Sequence, residues 1–217
     1  MELIGPGNNA QLAAALVHLR RHGTYLNLVD GAFERRTQVA IVDNARFALV
    51  VSADVANTPA DAAAWLAWQC ELFDLPPMPE FDAPGAKRDG DDRSAADLGM
   101  WWRQENKWTR EPGGDYVFCR GPLTESMIEE NLDHLRRRHL ILEDATKVFF
   151  TPRHWRKLKR RCADIAVERP LRLILVAANS QGLFRRFDAD SFFAELRAAC
   201  PDRPLIDIVA GRTEQAV

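Results

Sequence analysis

"LRLILVAA", residues 171–178, decides the fold. Every residue but Arg172 is apolar or small. A strand with one wet face alternates apolar and polar, so a run that is apolar at both parities belongs to a strand covered on both faces. After it, "SFFAELRAAC" (191–200) places Phe192, Phe193, Leu196 and Cys200 at helical spacing, and "PLIDIVA" (204–210) returns to strand character. The order strand, helix, strand predicts a closing β-α-β unit.

The preceding segments read as an α+β arrangement. In "TPRHWRKLKRRC" (151–162), Pro152 suits a first helical position, and Trp155, Leu158, Cys162 and Ile165 make the apolar stripe. "LILED" (140–144) and "KVFFT" (147–151) predict a hairpin across Asp144-Ala145. Thr124 is placed to cap a helix running to about His139, with Met127, Ile128, Leu132 and Leu135 inward. "GGDYVFCRG" (113–121) predicts a turn and strand, and "AADLGMWWRQENKW" (95–108) a short helix.

In the first part of the chain, Asn8 or Asn9 opens a helix with Leu12, Leu16 and Leu19 on one side, and Gly23 closes it. "TYLNLVD", "TQVAIVD" and "RFALVVSAD" then predict three antiparallel strands, with turn signals at Asp30-Gly31 and Asp43-Asn44. Thr58, Pro59 and Asp61 predict a capped helix whose apolar face is Trp65, Leu66, Cys70 and Phe73. The Pro-, Gly- and acid-rich segment that follows marks a linker. The expected organisation is a helix-flanked antiparallel sheet over 1–78, an acidic linker over 79–95, and a basic unit with the closing β-α-β over 96–217.

Composition narrows the function classes. Apolar residues at 47% suffice for a core, and the net charge of -2 conceals a strong local asymmetry. Residues 131–161 hold ten Arg or Lys against three acids, whereas 71–98 hold eight acids against three bases. Cys70, Cys119, Cys162 and Cys200 are far apart and form no C-x2-C pair, so they read as buried free thiols, not zinc ligands. "MELIGPGNNA" has neither the basic nor the apolar region of a signal peptide, and no 18-residue apolar run occurs, so the expectation is a cytoplasmic protein with no membrane partner.

The chemistry-bearing pattern is basic. Arg136, Arg137 and Arg138 close one expected helix, and Arg153, Arg156, Lys157, Lys159, Arg160 and Arg161 crowd the next with no acid among them. Such residues can track phosphates and release counterions. A helix, a two-stranded wing and flanking cations resemble a winged-helix module in outline, which implies a helix in the major groove and a wing on the backbone. Trp101, Trp102 and Trp108, interleaved with Arg103, Lys107 and Arg110, suit base stacking or a subunit interface.

Catalytic signatures are sparse. His18 and His22 share a helix face without a zincin glutamate, and Arg20 and Arg21 disfavour a metal there. Asp30, Asp43 and Asp54 end strands in an order that resembles PD-(D/E)xK nucleases, but "TQVAIVDN" lacks the Glu-x-Lys that such a site needs. "ANSQGLFRR" (178–186) is a loop able to cup an anion, without a nucleotide-binding glycine pattern. No cofactor, metal or catalytic residue is implied. The expectation is a non-catalytic nucleic-acid-binding subunit, DNA or RNA, of a larger nucleoprotein assembly. The alternatives are a protein-interaction or regulatory subunit and, third, a nuclease with a degenerate site.

Overall fold

The computed structural model describes residues 9–25, 46–78, 102–104, 107–109, 116–119 and 121–214. Helices and strands are mixed, with the main ladders parallel rather than antiparallel.

Helix α1 (Asn9–Arg21) ends at Gly23, whose φ of 82° is the left-handed conformation that glycine adopts without strain. Strand β1 (Arg46–Ser52) leads through a short 3-10 turn into α2 (Pro59–Phe73). Thr58 caps α2 as expected, its Oγ1 accepting from the Asp61 backbone N–H at 3.1 Å. Apart from Thr24 and Tyr25, which are in no regular element, the first two expected strands of the meander lie outside the described residues.

Strands β2 (Trp102–Gln104) and β3 (Lys107–Thr109) form an antiparallel pair where a helix was expected. Next come β4 (Tyr116–Cys119), β5 (Leu123–Thr124), α3 (Glu125–Asn131), β6 (His139–Leu142), β7 (Val148–Phe149), α4 (Pro152–Lys159) and β8 (Asp164–Val167). The last third holds β9 (Arg172–Asn179), α5 (Ala189–Ala199), β10 (Leu205–Asp207) and β11 (Arg212–Glu214).

Two sheets organise these elements. The first has the order β1-β9-β10-β11 and is mixed: β9 pairs in parallel with both β1 and β10, and only β11 is antiparallel. The closing β-α-β unit is present as β9-α5-β10, and β9 is central as "LRLILVAA" implied, but it is not covered on both faces: Leu173, Val176 and Ala178 are buried, whereas Ile174 is 48% exposed. The expected antiparallel sheet is corrected, because β1 takes its partner from the far end of the sequence. The segments on either side of 79–95 thus share one sheet, and Val51, Leu66, Val176, Phe192, Leu196 and Leu205 share one core.

The second sheet, β4-β6-β8, is entirely parallel, with α3 and α4 as its crossovers. Its strands alternate strictly. Val117, Cys119, Leu140, Leu142, Ile165 and Val167 face α3 and α4, while Phe118, Ile141 and Ala166 pack on the other side. Pro77 extends it by a parallel bridge to Val167. The expected hairpin of residues 140–151 is not formed, nor therefore the wing. β6 lies between β4 and β8, whereas β7 pairs in parallel with β5. Asp144 is the reason. Its buried carboxylate accepts from the Thr146 backbone N–H at 2.9 Å and the Thr146 hydroxyl at 2.5 Å, and Arg169 holds it from β8's far end. That cap makes a 3-10 turn that carries the chain out of one ladder and into another.

Helix α2 sits between both cores. Ala62, Leu66 and Cys70 pack on the first sheet, and Trp68 and Leu72 on the second. Among the described residues no helix is long and apolar enough to cross a membrane.

Candidate nucleic-acid interface

The expected basic residues fall into two groups that the sequence does not distinguish. The first lies on two turns at the edge where β6 and β8 begin. After α3 the chain turns over 132–138, with Leu135 buried as the anchor. After α4 it turns over 160–163, anchored by Leu158 and Cys162. The turns bond to each other: the Arg137 N–H donates to the Arg161 carbonyl at 2.8 Å, and the Ala163 N–H to the Arg138 carbonyl at 2.8 Å. This pairing places Arg136, Arg137, Arg160 and Arg161 side by side, all exposed. None of the four has an ion-pair partner among the described residues. Arg138 is half-buried.

Arg137 has a φ of 58°, the one non-glycine residue with positive φ among those described. Left-handed backbone is disfavoured for a residue with a Cβ, at roughly 1–2 kcal/mol. The bond to Arg161 holds it there.

The second group lies along α4, and among the described residues its two lysines are paired with acids while its two arginines are not. Lys159 pairs with Glu71 of α2, and Lys157 with Glu129 of α3 at 3.7 Å. His154 is flanked by Glu125 at 3.0 Å and Glu129 at 3.5 Å. Arg153 and Arg156 remain exposed on the helix without an ion pair among the described residues. Charge counting over "RHWRKLKRR" could not reveal this, because the neutralising acids come from other elements.

A polar row adjoins the paired turns. Tyr116, His139 and Asp164 are register partners at the start of β4, β6 and β8. His139 Nδ1 lies 2.9 Å from the Asp164 carboxylate, and the Tyr116 ring stacks on the imidazole at 4.8 Å with 23° between planes. No sequence motif marked this row, which depends on parallel register between three separate segments.

The tryptophans are only partly placed. Trp101 lies outside the described residues. The backbone of Trp102 pairs with Thr109 and that of Trp108 with Arg103. Trp155, by contrast, is buried at 1% exposure and stacked near Phe150, as its apolar stripe implied.

Of the strand-ending carboxylates, Asp30 and Asp43 lie outside the described residues. Asp54 is committed to the chain itself. It accepts backbone N–H bonds from Leu183 at 2.5 Å, Phe184 at 3.0 Å and Arg185 at 2.8 Å. The anion cupped by the "SQGLFRR" loop is therefore this carboxylate. Desolvation acts to raise its pKa, but the three N–H donors and the Arg185 charge outweigh it, and the pKa is lowered. Among the described residues no three His, Cys, Asp or Glu side chains converge as metal ligands.

No family model matches this sequence, and neither a curated protein nor a solved structure is significantly similar to it.

Proposed function

We propose that this chain is a non-catalytic nucleic-acid-binding protein, a subunit or accessory factor of a larger nucleoprotein assembly, that grips phosphates at its paired arginine turns. The observation that carries the reading is the hydrogen bonding between the Arg137 and Arg161 turns, which brings together the backbone of four exposed arginines that have no ion pair among the described residues. Guanidinium is the side chain best suited to bidentate phosphate contacts. The stacked Tyr116 and His139 rings begin at the residue after Arg138. An aromatic face beside a cationic edge suits an unpaired base, so the reading favours single-stranded over duplex ligand.

The test is binding of single- and double-stranded DNA and RNA, titrated against salt. Four phosphate contacts predict a log-log slope of about -3 for single strands, since each contributes roughly -0.7. A slope near zero, or no binding at low salt, would reject the proposal.

A second reading, a protein-interaction or regulatory subunit, is favoured by a different observation. Leu183 and Phe184 are 90% and 89% exposed on the loop that Asp54 pins. Large apolar side chains held outward on an ordered loop suit a partner protein's pocket. Co-purification lost on Leu183→Ser/Phe184→Ser, with nucleic-acid binding absent throughout, would select this reading over the first.

A further inference from the structure

The two helices that pack on the first sheet meet through sulfur. Cys70 lies in the last turn of α2 and Cys200 closes α5, and their Sγ atoms are 2.9 Å apart. Both are free thiols, and both are buried. Arg203 stands beside them, its Nη1 3.7 Å from the Cys200 sulfur. It cannot swing away freely, because its Nε donates to the Leu173 carbonyl at 3.1 Å and its Nη2 to Asp74. A cysteine with a fixed guanidinium on one side and a second thiol on the other has the surroundings of a reactive sulfur, unlike an inert core cysteine.

We propose that Cys70 and Cys200 are a dithiol oxidation site, converted to a disulfide by a peroxide or a small-molecule disulfide. With hydrogen peroxide, the Cys200 thiolate attacks one oxygen and the O–O bond breaks. This gives a Cys200 sulfenic acid and hydroxide, which takes up a proton as water. The Cys70 sulfur then attacks the Cys200 sulfur, the S–O bond breaks, and the departing hydroxide takes the Cys70 proton as a second water. Two electrons leave the sulfurs and reduce the O–O bond.

The electrostatics supply the asymmetry that such a step needs. The Cys200 pKa is lowered, first by its hydrogen bond with the Cys70 sulfur and then by Arg203, which together outweigh the effect of burial. That of Cys70 is raised by the same hydrogen bond and by burial. The guanidinium fixed 3.7 Å from the Cys200 sulfur marks Cys200 as the attacking sulfur and Cys70 as the resolving one. Access is short, since Pro201 and Asp202, which follow Cys200, are exposed. The other two thiols lack this setting. Burial pushes Cys162 up to about 12, and Cys119 is fully buried, its sulfur 3.9 Å from the Gly121 carbonyl. The disulfide would tie α2 to α5, and with them the β1 and β9 segments of one sheet.

The test uses the full chain, first reduced and then treated with hydrogen peroxide or oxidised glutathione. Thiols are counted by alkylation after denaturation, and cross-linked peptides are mapped by mass spectrometry. Two of the four thiols should disappear together. The Cys70 and Cys200 peptides should be joined, and a dithiol reductant should restore them. Cys70→Ser should stop the reaction at a single oxidised Cys200. Wild-type mapping stands alone if that variant does not fold. Full alkylation of both cysteines after oxidation, or a bridge that uses Cys119 or Cys162, would overturn the proposal.

Discussion

The carboxylate of Asp54 occupies the space that a side chain at residue 182 would need. A Cβ built on Gly182 would collide with the Asp54 Cγ and both carboxylate oxygens. Glycine is required here by close approach, since the next three residues must turn their N–H groups onto that carboxylate.

Gly182→Ala should therefore push the Asp54 carboxylate out, break its three bonds to the loop and lower stability. The check is a urea melt, together with the amide signals of residues 183–185, which should lose their hydrogen-bonded shifts while the rest of the spectrum stays.

The same contact makes the loop sensitive to acid. The folded pKa of Asp54 lies below its ordinary value of 3.8. A carboxylate of this kind contributes stability above its unfolded pKa, and the contribution is lost as pH falls through the lower folded value. Amides 183–185 should hold their shifts at neutral pH and move below that ordinary value. Movement between pH 5 and 7 would contradict the assignment.

Trp155→Ala should destabilise the protein by roughly 3–5 kcal/mol, because the ring is buried among Phe150 and the second-sheet core. Nucleic-acid affinity of the folded fraction should barely change. A stable variant with lost affinity would show that the ring stacks on bases instead.

The two groups of cations should separate by mutation. Reversing Arg136, Arg137, Arg160 and Arg161 to Glu should abolish binding and leave the circular dichroism spectrum intact, since all four are exposed. Lys157→Gln/Lys159→Gln should retain most of the affinity and lose at most about 1 kcal/mol of stability for each exposed ion pair. Anisotropy titrations of both variants decide the matter; equal losses would place the phosphate track on α4.

Arg137→Gly should raise stability by about 1 kcal/mol, because glycine accepts the left-handed backbone that arginine resists. Binding should weaken, and its salt slope should fall by roughly 0.7 on a single strand if that guanidinium touches a phosphate. A variant more stable and equally tight would remove Arg137 from the interface.

Legibility in the sequence followed the range of the interactions. The cap at Thr58 and the β9-α5-β10 unit depend on neighbours in the chain, and both could be read. The partner of β1 could not, since alternation and apolar content reveal which faces are buried but not which remote strand lies alongside. Asp144 misled for a related reason. An aspartate between two apolar runs signals a hairpin turn, yet here Arg169 and Thr146 make it the cap of a chain that changes sheets. The arginines of the candidate interface were all visible as residue types. Their separation from the paired lysines of α4 was not, because Glu71 and Glu129 reach Lys159 and Lys157 only in the folded molecule.

The pairing of β1 with β9 also bears on how the chain is made. At about 5–20 residues per second, the segment between them takes on the order of ten seconds to synthesise. During that interval β1 lacks β9, its ladder partner among the described residues, and an unpaired apolar strand is an invitation to aggregation. The second sheet draws β4, β6 and β8 from nearby stretches and can assemble as they emerge. The growing chain thus carries a finished platform and one waiting strand, and that strand is where a chaperone would be needed.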